Sequence, residues 1–367
     1  MLNDDANTKP IKKYTFKQKI TYTAFSLLIF FILLSLIGEA AVRFHSLKKT
    51  GAFNDILLPY NTAQKDDLLG WKMTPNYSFS GKLDDQGGQA YSVHIQYDEN
   101  GFKAFGDTAS LQPKLFFVGD SYTASVEVSN EKSFFNLIKD SLGVEVFAYG
   151  HAGFSTLQEY LIFDKWVDII KPDMVVWEVC SNDFIDNYPP LEMVCGYKVG
   201  ERRPYLGRDG GMFYKVPSTA WEKVKKIMQS YAWLERRWNG IKKRIFGIEA
   251  RRGEYFITTQ GRAFKPYDEA ARTTEEIFEK IKQRKPNSLE ILVFSADSYQ
   301  PQLDEFKRIS EQYGFHFTTS PTLAIDAAAY GPEQMTVRAS DGYHWNEAGH
   351  QIIANSLIPL IEAELGK

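Results

Sequence analysis

Short apolar runs alternate with helical patterns from residue 114 to residue 365, and this alternation limits the fold more than any other feature of the sequence. The apolar runs contain few polar residues, which is typical of strands that are covered on both faces. Such alternation predicts a parallel sheet with helices on both of its sides, the α/β class. The expected strands are 115–118, 144–147, 174–179, 289–294 and 315–317, and the expected helices are 133–142, 157–170, 276–284 and 347–365.

One long apolar segment lies near the N-terminus, at residues 20–38. It contains no charge between Lys19 and Glu39, and as a helix it would span roughly 28 Å, close to the ~30 Å hydrocarbon core of a bilayer. The segment is apolar on all sides, unlike an amphipathic helix. We therefore expect a single transmembrane helix that serves as an uncleaved anchor. The alternative is a cleaved signal peptide, with Gly38 and Ala40 as small residues ahead of the cut.

The basic residues on the two sides of this segment predict its orientation. Five lysines precede it and three basic residues follow it, and cytoplasmic flanks carry the excess of Lys and Arg. Residues 1–19 are thus expected to be a cytoplasmic leader, and the later part of the chain to lie in the periplasm or elsewhere outside the cytoplasm. The preceding residues are Lys9, Lys12, Lys13, Lys17 and Lys19, and the following ones are Arg43, Lys48 and Lys49.

The rest of the chain divides by its patterns into a linker, a small β appendage and a main domain. Residues 39–68 are expected to be the linker. Residues 69–111 alternate apolar and polar side chains from Tyr91 to Tyr97 and contain an Asn-Gly turn, which predicts the β appendage. The main domain, 112–367, is interrupted over 186–270. Because this stretch is too long for an ordinary connection, we expect a helical, lid-like insertion there.

The charge of the chain is nearly balanced in total but uneven along its length. The net charge of -3 disfavours a nucleic-acid-binding protein. Residues 201–252 hold 14 Lys and Arg against 5 Asp and Glu, a net charge of +9. Apolar residues recur at helical spacing from Trp221 to Trp238, so this segment is expected to contain a helix. Contact with an anionic surface, such as lipid headgroups or an acidic polymer, and a solvated helix face are both open interpretations.

The two cysteines, Cys180 and Cys195, exclude a disulfide-rich scaffold and a zinc site of four thiolates. A disulfide bond between them and two unpaired buried thiols are both open. His45, His94 and His316 lie in no cluster of cysteines or carboxylates that suggests a metal, and we expect them to be structural.

Polar segments follow the predicted strands or precede the final helix at four places in the chain. In an open parallel sheet, ligands bind outside the carboxyl ends of the strands, so the fold would bring these segments to one edge. The segments are Gly119-Asp120-Ser121, Gly150 to Ser155, Ser181-Asn182-Asp183 and Asp341-Gly342-Tyr343-His344.

Together the four segments supply the groups that acyl transfer needs. The hydroxyl of Ser121 becomes a nucleophile only if an adjacent base accepts its proton. His344 can accept a proton near neutral pH, and Asp341, three residues earlier, can hold its imidazole in the required tautomer. The candidate donors for an oxyanion hole are the backbone N–H groups of Ser121 and Gly153 and the side-chain amide of Asn182.

Four other polar residues near these segments have a less specific interpretation. His350 is a rival base, but it falls within the predicted final helix, where it should pack or face solvent. His151 is expected on the surface of its loop, and contact with the substrate beside the oxyanion site is the alternative. Asp120 and Asp183 are expected to accept hydrogen bonds that shape their loops.

These motifs resemble the four blocks of the SGNH/GDSL hydrolase superfamily, in the order of that family: Gly119-Asp120-Ser121, Gly153, Asn182 and Asp341-x-x-His344. The likeness covers about residues 112–185 and 287–365, and residues 69–102 resemble the lead-in of membrane-anchored bacterial members. Ala148 and Ser181 depart from the family, which often has Asn and Gly there. The resemblance implies a flavodoxin-like three-layer α/β/α sandwich and neither metal nor organic cofactor. It also implies Ser121 as nucleophile, His344 as base, Asp341 as its orienter, and an oxyanion hole of Ser121, Gly153 and Asn182.

The function expected from these features is that of a membrane-tethered serine esterase, which acts outside the cytoplasm on an ester of an envelope glycan or lipid. Hydrolysis and acyl transfer share every step up to deacylation, so an O-acetyltransferase of cell-envelope polysaccharide is one alternative. A non-catalytic subunit that binds or assembles polysaccharide on the same fold is another. The presence of Ser121, Asp341 and His344 together favours an enzyme.

Overall fold

A computed structural model of the protein describes residues 15–50, 63–195, 202–215, 252–332 and 334–366. The chain divides into two compact units, Met1–Ile56 with Thr219–Phe246, and Leu57–Ser218 with Gly247–Lys367. The helix expected between Trp221 and Trp238 lies outside the described residues, as does most of the basic segment 201–252.

In the first unit, helix α1 runs from Phe16 to Thr50. Its apolar part, Phe16–Val42, is 27 residues long with a mean hydropathy of 2.4 and is not buried inside the protein. At 1.5 Å per residue it spans roughly 40 Å, enough to cross a bilayer. The helix is longer than the predicted 20–38 and continues into the predicted linker, because no glycine or proline interrupts the chain after Glu39 until Gly51. The predicted start of the linker, residue 39, therefore lies within this helix, and the division into anchor and linker stays a prediction.

The second unit contains twelve strands and ten α-helices within the described residues. The strands are β1 (Ala63–Asp66), β2 (Gly70–Met73), β3 (Ser78–Asp84), β4 (Ala90–Gln96), β5 (Ala104–Phe105), β6 (Lys114–Gly119), β7 (Glu145–Gly150), β8 (Met174–Val179), β9 (Arg203–Leu206), β10 (Met212–Lys215), β11 (Glu290–Ser295) and β12 (His316–Thr318). The helices are α2 (Ser121–Ala124), α3 (Phe134–Leu142), α4 (Thr156–Ile170), α5 (Asn182–Asp186), α6 (Pro189–Cys195), α7 (Arg252–Gln260), α8 (Lys265–Arg284), α9 (Gln302–Gln312), α10 (Ser320–Tyr330) and α11 (Glu347–Leu365).

The central sheet has six strands in the order β12-β11-β8-β6-β7-β5. Its first five members pair in parallel, and β5 pairs antiparallel with β7 at one edge. Counted along the chain, the parallel strands have the order 2-1-3-4-5, which is the flavodoxin-like order. The predicted α/β class and its parallel sheet are confirmed. In this order the chain reverses direction across the sheet between β6 and β8, so a crevice is expected where these two strands end.

Side chains on the two faces of the sheet enter two separate cores. Phe116 and Val118 of β6 pack with residues of α4 and α8, whereas Leu115 and Phe117 pack with residues of α3 and α11. All four are buried. Because successive residues of a strand point to opposite faces, one apolar run supplies both cores, and the result is a three-layer sandwich.

The predicted β appendage, 69–111, is part of the same compact unit as the main domain and has different bounds. It begins earlier, because β1 pairs with β2, and it ends inside the main sheet, because β5 pairs with β7. Strands β3 and β4 form an antiparallel hairpin whose buried Val93 and Ile95 pack with Ala124 and Val126. A two-stranded hairpin has one apolar face that needs a cover, and the residues after β6 provide it.

The predicted insertion, 186–270, ends too late. Helix α8 begins at Lys265, with a proline in its first turn, and not at the predicted 276. The described part of the insertion includes an antiparallel hairpin, β9–β10. Arg203 of β9 has no exposed surface and contacts Asp186, Glu192 and Gln158. This hairpin is therefore joined to the rest of its unit by a buried cation.

Candidate active site

The segment that contains Ser121 is fixed by the end of β6 and the start of α2. The carboxylate of Asp120 accepts a hydrogen bond from the backbone N–H of Tyr122 at 2.9 Å and so caps α2. Glu178 Oε2 accepts from the N–H of Asp120 at 3.0 Å and from the hydroxyl of Thr123 at 3.1 Å. These bonds place Ser121 where β6 ends, beside β8 and at the edge of the sheet where a crevice is expected.

Gly119 is required by this arrangement. A Cβ atom at this position would lie 2.3 Å from Glu178 Oε2 and 2.4 Å from Thr123 Oγ1. Glycine therefore leaves room for the carboxylate that holds the following turn.

The segment that contains His344 is folded around Asp341. One carboxylate oxygen of Asp341 accepts from the backbone N–H of Tyr343 at 2.9 Å and from that of His344 at 3.1 Å. Gly342, with a φ of +78°, supplies the left-handed residue that this turn needs. The other oxygen of Asp341 accepts a hydrogen bond from His344 Nδ1. The spacing of three residues thus lets one carboxylate hold both the backbone and the ring of the histidine.

The structure brings Ser121, His344 and Asp341 together. His344 Nε2 lies 2.8 Å from Ser121 Oγ, although 223 positions separate the two residues in the sequence. The ring of Tyr122 packs against the imidazole, with 5.0 Å between ring centroids. A hydroxyl, an imidazole and a carboxylate therefore form one continuous hydrogen-bonded chain.

The charges around His344 favour its protonated form. Burial acts to lower the pKa of His344, but the charge of Glu127 and the hydrogen bond with Asp341 outweigh it and raise this pKa to about 9. Burial likewise acts to raise the pKa of Asp341, but its hydrogen bond with His344 keeps this pKa below the ordinary value. Asp341 is thus a stable anion that supports an imidazolium.

Sequence reasoning missed Glu127, a buried acid next to this triad. Its Oε1 lies 3.3 Å from His344 Nδ1, and its side chain is only 7% exposed. Burial raises the pKa of Glu127 to about 7, although the charge of His344 opposes the rise. In the sequence, Glu127 is marked only as one acid between two valines, Val126 and Val128, and no motif spacing relates it to the other site residues.

The other two candidates for the oxyanion hole lie near this edge of the sheet. Gly153 follows β7 and has a φ of +70°, which favours glycine. Asn182 is the first residue of α5, three positions beyond the end of β8, and its amide donates to Asp186 at 3.2 Å. Burial raises the pKa of Asp120, the neighbour of Ser121, and Asn182 is one of the groups that oppose this rise. How Ser121, Gly153 and Asn182 surround a bound oxygen atom stays a prediction.

The loop of Asn182 is held by Asp297, which follows β11. Its Oδ2 accepts from Ser181 Oγ at 2.6 Å, from the Ser181 N–H at 3.2 Å and from Cys180 Sγ at 3.1 Å. Ser181 stands where the related family often has glycine, and its hydroxyl has this structural partner. Cys180 and Cys195 are both buried, and no disulfide bond joins them.

By distance alone, one set of three side chains could hold a metal ion. Within the described part of the chain, this set is Glu127, Asp341 and His344, whose donor atoms lie within 4.8 Å of one another. Both nitrogens of His344 already have hydrogen-bond partners, Asp341 at Nδ1 and Ser121 at Nε2. We interpret the group as a hydrogen-bonded relay, and the expectation of no metal stays a prediction.

The remaining sequence-predicted residues have structural roles. His350 is buried and stacks on Phe134, whose N–H donates to its Nδ1 at 3.3 Å, so it is not the base. Asp183 accepts from the N–H of Cys180 at 3.0 Å and shapes its loop, as expected. His151 is not on the surface as predicted: it is buried, because Trp71 of β2 covers it and donates to its Nδ1 at 3.2 Å.

No family model matches the chain, and no curated protein matches it. Among solved structures, similar ones include the psychrotrophic esterase EstA from Pseudoalteromonas sp., with 12% identity and a TM-score of 0.38 over 69% of this chain and 99% of that one. A protein described as a GDSL-like lipase from Parabacteroides merdae has 14% identity and a TM-score of 0.34 over 70% of this chain and 96% of that one. An acetyl xylan esterase, Axe2, from Geobacillus stearothermophilus has 14% identity and a TM-score of 0.35 over 70% of this chain and 95% of that one.

These neighbours are described as esterases or lipases, the class of protein that the four sequence blocks resemble. Their identities and TM-scores are low. The activity of this chain is therefore inferred from the geometry of its own site.

Proposed function

We propose that the protein is a serine hydrolase of the SGNH type that cleaves an ester bond. The observation that carries this proposal is the 2.8 Å separation between Ser121 Oγ and His344 Nε2, with Asp341 bonded to the other ring nitrogen. A purely structural serine has no need of an aligned base and orienting carboxylate. This constellation is the one by which serine nucleophiles are recognised on unrelated folds.

The proposed reaction uses each group of the triad in turn. Ser121 Oγ attacks the ester carbonyl carbon while His344 Nε2 takes the hydroxyl proton, and Asp341 stabilises the imidazolium. The carbonyl oxygen becomes an oxyanion near the N–H groups of Ser121 and Gly153 and the amide of Asn182. Loss of one such donor typically costs about 3 to 4 kcal/mol in transition-state stabilisation. The C–O bond of the ester then breaks, and the imidazolium returns its proton to the leaving alcohol.

The acyl-enzyme is released in a second half-reaction. His344 takes a proton from an incoming water, which attacks the acyl carbonyl carbon. The bond between this carbon and Ser121 Oγ then breaks, and the imidazolium returns its proton to Ser121 Oγ. A sugar hydroxyl that enters in place of water would give an O-acyltransferase with the same residues. A hydrolase leaves the free acid as product, and a transferase leaves an acylated acceptor.

Helix α1 supports a proposal for the place of action. We propose that this helix is an uncleaved, single-pass anchor, that residues 1–19 face the cytoplasm, and that the site lies outside it. The apolar length of the helix and the excess of lysines ahead of it support this orientation. An enzyme tethered there would meet esters of an envelope glycan or lipid. Intact mass of the membrane-purified protein tests the anchor: retention of residues 20–38 supports it, and cleavage after them contradicts it.

The test of the activity is covalent labelling of the detergent-solubilised full chain with a fluorophosphonate, which reacts with activated serines. We expect labelling of the unaltered protein and none of Ser121→Ala. Ser92→Ala is a matched control, because Ser92 is an exposed serine on β4 and its loss should change nothing. A correctly folded protein that stays unlabelled at every pH would refute the proposal and favour a non-catalytic role.

A further inference from the structure

Two carboxylates, not one, face the same nitrogen of the catalytic imidazole. Asp341 hydrogen-bonds His344 Nδ1, and Oε1 of Glu127 lies 3.3 Å from the same atom. The two acids come from opposite ends of the domain, Glu127 from the segment after α2 and Asp341 from the segment before α11. The single Nδ1 proton therefore has two possible acceptors. Glu127 lies outside the sequence blocks that identify the triad.

The backbone around Glu127 is held by residues that do not take part in the triad. Tyr91 of β4 donates its hydroxyl to the carbonyl of Glu127 at 3.0 Å. Nζ of the buried Lys103 donates to the carbonyls of Ser125 and Val128, on both sides of Glu127. This segment is thus fixed by bonds to the strand β4 and to the residue that precedes β5.

The β3–β4 hairpin, which includes Tyr91, also holds the segment that contains Asp341. The carbonyl of Asp84, at the end of β3, accepts from the N–H of Ser340 at 3.0 Å. The N–H of Gln86 donates to the carbonyl of Arg338 at 2.9 Å, and Asp85 forms a β-bridge with Ala339. The β3–β4 hairpin therefore binds both chain segments whose carboxylates meet at His344.

We propose that Glu127 is a positioning residue that shares the Nδ1 proton of His344 with Asp341, and that the β3–β4 hairpin holds this second carboxylate in place. The inference rests on the proposed function, since it concerns the base of that reaction. In this role, the β3–β4 hairpin helps to align the imidazole of His344. The proton moves no further than between nitrogen and oxygen atoms already in contact, so no other reactant is needed.

The charged groups around His344 fix the direction of the expected effect. The negative groups that face it are Glu127, Asp341 and Asp120, and all three raise its pKa. Among the described residues, basic groups in this region include Lys103, whose pKa burial lowers well below its ordinary value and which bonds the carbonyls beside Glu127, Arg338, which donates to the carbonyl of Tyr343, and the buried His350. Tyr122 contributes its ring face. Without the charge of Glu127, fewer anions stabilise the imidazolium. The pKa of His344 therefore falls, and the base becomes neutral at a lower pH.

The test is the pH dependence of fluorophosphonate labelling of Ser121 in the full chain, compared between the unaltered protein and Glu127→Gln. We expect the acid limb of the profile to move down by about 1 to 2 pH units in Glu127→Gln, the size typical of one close charge. Glu131→Gln is the matched control: it makes the same chemical change at an exposed acid on the same segment and should leave the limb in place. Glu127→Asp keeps the charge and should keep the limb high.

The possible outcomes separate this inference from the proposed function. Labelling of both proteins with the same acid limb would overturn the role of Glu127 and leave the serine hydrolase intact. Absence of labelling in the unaltered protein at every pH would refute the hydrolase and, with it, this role. If Glu127→Gln fails to fold, Asp341→Asn decides the matter. We expect its acid limb to stay above the ordinary histidine pKa of 6.5, because Glu127 still carries its charge beside Nδ1 of His344. A limb at the ordinary value would contradict a shared proton.

Discussion

The raised pKa of His344 predicts an alkaline rate profile for the protein. The base must be neutral to accept the proton of Ser121, and the pKa of His344 is about 9, against an ordinary value of 6.5. At pH 7 only about 1% of such an imidazole is neutral, and the neutral fraction grows about tenfold per pH unit until the pKa is reached. We therefore expect kcat/KM to be about a hundredfold lower at pH 7 than on its plateau.

The assay for this prediction is hydrolysis of an aryl acetate by the detergent-solubilised full chain between pH 6 and pH 10. Spontaneous hydrolysis at high pH is subtracted with Ser121→Ala at every point. Because kcat/KM reports the ionisation of the free enzyme, its acid limb gives the pKa of His344 without bound substrate. A limb near the ordinary histidine value would show that the two carboxylates do not stabilise the imidazolium, and would refute this reasoning.

Two further predictions concern the packing around the site. Gly119→Ala places a Cβ 2.3 Å from Glu178 Oε2 and should lower the free energy of unfolding by about 1 to 3 kcal/mol in urea titrations, together with the labelling rate of Ser121. An alanine variant as stable and as reactive as the unaltered protein would contradict this account of the glycine. Arg203→Met removes the buried cation beside Asp186 and Glu192, and we expect a loss of about 3 to 5 kcal/mol, measured by circular dichroism. An unchanged urea midpoint would show that the buried ion pairs contribute little.

The sequence predicted the sheet well because its strands are buried on both faces. Strand 174–179 and helix 347–365 have the predicted bounds, and the other expected strands lie within a few residues of their observed positions. Continuous apolar runs and helical spacing depend on local burial, which a sequence pattern reports directly. Helices α9 and α10 were not predicted.

The candidate site could be predicted only in part. Ser121, Asp341 and His344 stand next to strand ends or a helix start, so the topology alone brings them together. Glu127 follows no such rule: it reaches the imidazole because a hairpin distant in the sequence holds its backbone. The burial of His151 has a similar cause, since Trp71 covers it from another hairpin. Contacts that depend on which distant element packs over a loop leave no local pattern in the sequence.

Trapping the acyl form of Ser121 shows whether this residue is a nucleophile that His344 activates. The full chain is incubated with an aryl acetate, quenched in acid and digested, and the masses of its peptides are measured. We expect one added acetyl group on the peptide that contains Ser121, and none at this position in His344→Ala. An acetyl group found on a different residue, or one on Ser121 that forms equally fast in His344→Ala, would contradict this expectation.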